Sequence, residues 1–348
     1  MEPLTVNKVE ITPFKIPLSM PLPVLGVIIK ERAGFYITLH TSSGLYARGE
    51  IAPLEGLSVE GPRRVKHDLK EAGAYLKNFK VPLQKEELIE CLRHEANILN
   101  ACSSVRFGIE SALFLLAAAA LKQELVEFLG GTLKDVQTAM LLEGSHSQVL
   151  SDFKRFSEGK TQVFKLKVGD RNIALDIKKV EDIRLRLAGE SYLRLDANRQ
   201  WTLKEACVFA QMIGNQRIDF IEDPIDDMGQ LDAFYQKTRM RVALDETLRV
   251  AHSPLTEHEG VVAYVIKPMI LGFMTSLDWI DQAKASRRKA IISSAFESPV
   301  GLKVLAHLAC YSGQIAGVGI ERWFKNVQPL VSDGGIIKKE AIQASHER

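Results

Sequence analysis

Between Gln162 and Lys267 the chain repeats one pattern: a short apolar run ends in charged residues and gives way to a turn or to helical spacing. The runs end in Lys165-Leu166-Lys167, Leu195-Asp196-Ala197-Asn198, Ile221-Glu222-Asp223-Pro224, Leu244-Asp245-Glu246 and Ile266-Lys267-Pro268. Lys167, Asp196, Glu222, Asp245 and Lys267 follow one another at spacings of 29, 26, 23 and 22 residues. A strand, a helix and two loops take roughly 25–35 residues in a (β/α)8 barrel. The pattern therefore presents one charged residue per βα unit, at the C-terminal end of each strand, where such barrels build their active sites.

Upstream, Val9–Ile16, Phe35–Thr41 and Leu45–Ile51 read as strands, the last two as a hairpin turning at Ser42-Ser43-Gly44. The proline-rich stretch Pro17–Arg32, carrying Lys30, Glu31 and Arg32, reads as a long loop that either covers a pocket or runs along the surface. From Pro62 the apolar spacing becomes helical over Val65–Phe79, Leu88–Leu99 and Arg106–Leu129. The third is apolar enough to lie buried between domains, and Gly130-Gly131 closes it. Strands and helices then alternate, which puts a boundary near residue 132. The strands are Gln137–Leu142, Gln162–Val168, Tyr192–Asp196, Phe220–Glu222, Val242–Asp245, Ala263–Lys267, Ile291–Ser294 and Gln314–Gly319. The helices are Ser147–Glu158, Leu203–Ile213, Gln230–Lys237, Leu277–Ala285 and Gly301–Tyr311, with only Ser253–Glu259 available after Asp245. Such alternation implies parallel strands and α/β architecture. The expected division is an α+β region over 1–131, a barrel over 132–322, and a polar tail over 323–348 that packs back on the first region.

Composition narrows the partners. The 348 residues are 46% hydrophobic and 25% charged, an ordinary globular balance. A net charge of +2 gives no electrostatic footprint for nucleic acid. The basic run Ser286-Arg287-Arg288-Lys289 is explained by a helix C-terminus, where cations favour the dipole. Cys91, Cys102, Cys207 and Cys310 have no metal-site spacing and read as reduced thiols of a cytoplasmic protein. The proline-interrupted N-terminus argues against a signal peptide, and no apolar run reaches the roughly 20 residues of a membrane span. The sequence leaves monomer and homo-oligomer both open.

Asp196, Glu222 and Asp245 end three consecutive strands, so a barrel brings their carboxylates together. Three clustered anions raise one another's pKa unless a cation neutralises them. An all-oxygen set suits Mg²⁺, and no histidine stands at zinc-ligand spacing. Any one of these acids alone would serve as a helix cap or a surface charge; three in register between lysines do not. Lys165 and Lys167 are two apart on a strand and share a face. Like charges that close would lower a lysine pKa and free one as a base. Lys267 enters from the other side of the acids. Together the groups suit removal of a proton α to a carboxylate, with the metal as Lewis acid for the enediolate.

These five motifs, in order, resemble the enolase superfamily, and specifically its muconate-lactonizing-enzyme-like branch. The resemblance covers nearly the whole chain. It implies a modified (β/α)7β TIM-like barrel with an N-terminal α+β capping domain. It implies Mg²⁺ on Asp196, Glu222 and Asp245, and Lys167 and Lys267 as the catalytic lysines. A small-molecule carboxylate would be the substrate, contacted by Lys165, Asn198 and Ser293. Within the branch, Ile292-Ser293-Ser294-Ala295-Phe296-Glu297-Ser298, Lys267-Pro268-Met269-Ile270-Leu271-Gly272 and Leu193–Arg199 resemble its dehydrating members. These are lyases in which one lysine removes the α-proton and then protonates the departing hydroxide. Phe273 and Pro299 stand where smaller residues are expected. The competing reading is a racemase or epimerase of N-acylamino acids or dipeptides, with Lys167 and Lys267 as opposed bases. Dipeptide epimerases carry Asp-x-Asp after the eighth strand, where this chain reads Gly317-Val318-Gly319-Ile320-Glu321. A non-catalytic barrel would leave the filled catalytic positions without a reason.

Overall fold

A computed structural model describes residues 3–24, 26–157, 163–170, 172–249, 258–318, 324–325, 330–332 and 335–343. The first strand, β1 (Leu4–Val24), pairs antiparallel with β2 (Val27–Thr41) from Val6↔Thr41 out to Val24↔Val27. The stretch Pro17–Arg32, expected as a loop, is thus the outer half of one long hairpin. Proline there misleads because the carbonyl of Pro17 faces away from β2, accepting from the Lys325 N–H, so no donor toward β2 is lost. A register shift between Pro17 and Leu22 absorbs the irregularity. β3 (Tyr46–Ile51) pairs with β2 as the expected hairpin, and β4 (Lys80–Val81) completes the sheet beside β1.

The helices that follow are α1 (Pro62–Tyr75), α2 (Lys85–His94), α3 (Ala96–Leu99), α4 (Ser103–Ala120) and α5 (Leu125–Phe128). The run expected as Leu88–Leu99 breaks at Glu95, and the one expected as Arg106–Leu129 breaks after Ala120, where Lys122 takes a left-handed φ of 57°. α4 lies between β3 on one side and Pro268–Leu271 and Phe273–Ala285 on the other. Glycine makes the first contact possible: a Cβ on Gly49 would sit 1.8 Å from the Gly108 carbonyl oxygen. By length and composition α4 could cross a membrane, but 72% of it is buried inside the fold.

The expected first barrel strand is two pieces. β5 (Val136–Gln137) turns away to pair with Ile336–Ile337, and β6 (Met140–Leu142) enters the barrel. Parallel neighbours follow in chain order: β7 (Val163–Lys167), β8 (Tyr192–Asp196), β9 (Ile218–Glu222), β10 (Val242–Leu244), β11 (Val261–Ile266) and β12 (Lys289–Ile292). The expected eighth strand is reduced to two parallel bridges, Ala316 to Thr138 and Gly317 to Ser293. Those bridges join the two edges of the sheet and close it. The outer helices are α6 (His146–Ser157), α7 (Ile173–Arg184), α8 (Leu203–Ile213), α9 (Leu231–Thr238), α10 (Pro268–Leu271), α11 (Phe273–Ala285) and α12 (Pro299–Ser312). α7 was not expected, although Ile173, Ile177, Val180 and Ile183 keep helical spacing. The segment proposed for a helix over Ser253–Glu259 falls largely outside the described residues, as does the end of Gln314–Gly319. Of the tail, Phe324 bridges Leu18 of β1, while Ile336–Ile337 joins β5.

Inside the barrel an apolar layer of Phe220, Ala243, Ala263, Val265 and Ile291 separates two charged ones. Below it Asp219 accepts from Arg194 Nε at 3.3 Å and Lys289 Nζ at 2.6 Å. Asp219 reaches inward because the register slips there: Leu193 pairs with Ile218 but Arg194 with Phe220. Above the layer lies the site.

Candidate active site

Alternation along each strand decides what reaches the mouth. In β7, Phe164 and Leu166 are buried outward, Phe164 against Phe153 of α6 at 4.8 Å between ring centroids, so Lys165 and Lys167 turn inward. Lys167 pairs in register with Asp196, and Asp196 with Glu222. The parallel sheet thus sets these side chains side by side. Lys165 Nζ donates to Glu222 Oε2 at 2.5 Å and lies 2.9 Å from Asp196 Oδ2. Lys167 Nζ donates to Asp196 Oδ2 at 2.7 Å and to Asn198 Oδ1 at 2.6 Å. Across the barrel, Lys267 Nζ donates to Asp245 Oδ2 at 2.5 Å. One oxygen each from Asp196, Glu222 and Asp245 lies within 4.8 Å of the others, close enough to share one metal ion. The donor set is all carboxylate oxygen and buried, which fits a hard divalent cation.

A cavity of about 360 Å³ opens over this cluster. Lys165, Lys167, Asp196, Asn198, Lys267 and Ser293 all line it. Glu222 and Asp245 sit behind that wall. Ser293 is buried and its Oγ donates to the Gly317 carbonyl at 3.2 Å. Phe273 and Pro299, the two unexpected residues, are not on the cavity wall: Phe273 packs on Phe114 at 4.9 Å, and Pro299 opens α12.

The charges answer one another unevenly. Burial pushes Glu222 up to about 7, with Asp196 and Asp245 adding to the push. Burial likewise raises Asp245. Asp196 is buried as deeply, yet Lys165 and Lys167 outweigh the burial and hold it below its usual range. The expectation that the neighbouring ammonium groups of Lys165 and Lys167 would depress each other does not hold for Lys165, and Lys267 is raised as well. Burial presses both down, but Asp196, Glu222 and Asp245 hold Lys165 well above its ordinary value, and Asp245 and Glu246 raise Lys267. The lysines face more acid than base.

Residues 149–341 match the family described as "Enolase C-terminal domain-like". The chain is 32% identical over 307 residues to o-succinylbenzoate synthase of Aliivibrio fischeri (strain MJ11), an alignment covering 87% of this chain and 86% of that one. The chain belongs to the enolase superfamily. That membership makes it an enzyme, and the sequence relatives it matches are lyases. Solved structures agree on the fold. A mandelate racemase/muconate lactonizing protein from Herpetosiphon aurantiacus superposes with a TM-score of 0.84 at 20% identity, covering 97% of this chain and 96% of that one. The dipeptide epimerase of Cytophaga hutchinsonii, complexed with Mg and the dipeptide D-Ala-L-Val, gives 0.81 at 20% identity, covering 96% and 93%.

Within this superfamily site, sequence reasoning passed over two acids. Asn198 Nδ2 donates to Glu246 Oε1 at 2.9 Å, and Asp223 Oδ2 accepts the Thr247 N–H at 3.1 Å. Each follows a metal-ligand candidate by one residue, so both were hidden inside recognised motifs. Asp223 takes a left-handed φ of 35°. The apolar wall draws Leu22 and Val24 from Pro17–Arg32, the stretch expected either to cover a pocket or to run along the surface, while Leu54 and Leu57, also far away in sequence, were missed.

Proposed function

We propose that this enzyme is an o-succinylbenzoate synthase. It would dehydrate 2-succinyl-6-hydroxy-2,4-cyclohexadiene-1-carboxylate to o-succinylbenzoate in menaquinone biosynthesis. The observation that carries this reading is the 32% identity to the Aliivibrio fischeri synthase across most of both chains. The cavity supports it: three lysines converge on a space with an apolar outer wall, suited to a carboxylate on a carbocyclic ring. Asp196, Glu222 and Asp245 would hold Mg²⁺, which would supply Lewis-acid charge against the negative charge that develops when the α-proton leaves. Lys167, fixed by Asn198, takes the α-proton and returns it to the departing hydroxide on the same face, a syn elimination. Lys267 stabilises the negative charge from the opposite side. Lys165, Asn198 and Ser293 line the substrate space. We divide the chain as a capping domain (1–131), a barrel (132–322) and a tail (323–348), and place the enzyme in the cytoplasm with no nucleic-acid or membrane partner.

The test is loss of the cyclohexadiene absorbance with purified protein, in Mg²⁺ and in excess chelator. Metal-dependent loss giving o-succinylbenzoate is the expected result; no loss in the presence of Mg²⁺ would sink the reading. One feature favours a second activity: Lys167 and Lys267 both reach the same cavity, as two opposed bases of an N-acylamino acid racemase or dipeptide epimerase would. Exchange of the α-proton of acylamino acids in heavy water tests it.

A further inference from the structure

The cavity has two walls from distant parts of the chain, and one side chain touches the backbone of both. Arg32, on the outer part of β2, is 3% exposed. Its Nη1 donates to the Pro53 carbonyl at 3.0 Å and its Nη2 to the Ala52 carbonyl at 2.5 Å. Its Nε donates to the Phe296 carbonyl at 2.9 Å, and Nη2 also reaches the Ala295 carbonyl at 3.4 Å. Ala52 and Pro53 lead directly into the segment that brings Leu54 and Leu57 to the cavity. Ala295 and Phe296 belong to the segment that brings Ser293, Ser294 and Phe296 to it.

The second segment needs holding. Phe296 adopts a left-handed φ of 62°, a conformation that costs a bulky side chain energy. Its N–H donates to Ser294 Oγ at 3.0 Å, and Ser294 Oγ in turn donates to Glu297 Oε2 at 2.7 Å. The neighbouring turn is seated by Glu50, whose carboxylate accepts from Ser298 N, Ser298 Oγ and Gly301 N at 2.8, 2.6 and 2.8 Å. A Cβ on Gly301 would lie 2.7 Å from Glu297 Cβ and 2.9 Å from Glu50 Oε2, so glycine lets both acids approach. A planar guanidinium suits this place: its donors diverge in a fixed fork, so one group can serve both walls.

We propose that Arg32 is a positioning residue for substrate specificity: it sets the spacing between the Leu54/Leu57 wall and the Phe296 wall of the cavity. It touches no reacting atom. Removing it frees both walls at once and loosens the fit around the substrate's ring and side chain, leaving the acids and lysines of the barrel in place.

The test compares wild type with Arg32→Lys, which keeps the charge without the fork, and Arg32→Gln, which keeps donors enough for one wall. Amide hydrogen exchange at 52–57 and 294–298 is read with steady-state dehydration in Mg²⁺. In Arg32→Lys both segments should lose protection together. KM should rise about tenfold while kcat stays within about threefold, the signature of lost ground-state binding. Protection unchanged in either segment, an unchanged KM, or a fall confined to kcat would overturn the proposal. So would failure of both variants to fold, since Arg32 would then be a folding residue. Only the KM readout rests on the reaction proposed above. If wild type does not dehydrate that substrate, the reaction reading falls, and the exchange pattern alone decides for or against Arg32.

Discussion

At the N-terminal end of the barrel strands, Arg194 and Lys289 share Asp219, and Arg194 also donates to the Ile315 carbonyl at 2.9 Å. At the open end, Lys165, Lys167 and Lys267 face Asp196, Glu222 and Asp245, with Asp223 and Glu246 close behind. Both layers place buried acids and a buried cation on the barrel strands, sharing β8 and β9 and lying one apolar layer apart, with Lys289 of the lower one half-exposed. The lower cluster is finished: its acid is paired twice, and it is covered by Phe220, over whose ring the Arg194 guanidinium sits at 5.1 Å. The upper one gathers more acids than its lysines balance, so Glu222 and Asp245 are pushed up, and it opens onto a cavity. Buried charge as such therefore does not mark a site. Unbalanced buried charge beside a cavity does.

The sharpest way to break that contrast is at the proposed base. Lys167→Ala should lower kcat by roughly 10²–10⁴-fold while the folded structure persists; near-normal turnover, measured by substrate absorbance, would remove the mechanism. Asp196→Ala should lose Mg²⁺ dependence together with activity. Titrating the variant with Mg²⁺ and following intrinsic tryptophan fluorescence tests the metal part separately, and a retained binding curve would overturn the assignment.

The lower cluster should respond in stability instead. Asp219→Ala leaves Arg194 buried without its acid, and an uncompensated buried charge costs about 3–5 kcal/mol, to be read from urea unfolding. Glu222→Gln, by contrast, should cost no stability in chelator, because ionising Glu222 works against the fold. Equal losses in the two variants would erase the distinction between the layers.

The smallest effect concerns Glu297 at the rim, which burial pushes up to about 7. A carboxyl whose pKa is raised by folding binds its proton more tightly folded than unfolded. Its contribution to stability is fully present below the unfolded value of about 4.5 and is lost as pH rises to about 7. Glu297→Gln should flatten the decline in stability across that window; an unchanged slope would show the group does not titrate there.

The mouth was far more legible than the rim. Asp196, Glu222, Asp245 and Lys267 stand at or just after strand ends, where a local apolar run and a turn reveal them without tertiary information. Arg32 and Glu50 gave no such signal. Their partners lie more than 240 positions along the chain for Ala295, Phe296, Ser298 and Gly301, and no periodicity reports contacts at that range. The Pro17–Arg32 hairpin was hidden by prolines, of which Pro17 sits where the strand asks no donor of it toward β2, and α7 by charged residues interleaved with its apolar stripe.

The sequence by itself determined the alternation of strands and helices, the order of the charged motifs and the shared face of Lys165 and Lys167. Each of these follows from local periodicity, which a chain carries into any fold it adopts. Only the tertiary structure decided how the charges balance, which acid is raised and which lowered, and where the second wall of the cavity comes from. Those depend on distances between strands and on burial, and both exist only once the barrel has closed through Ala316 and Gly317 and the N-terminal hairpin has been laid across its mouth.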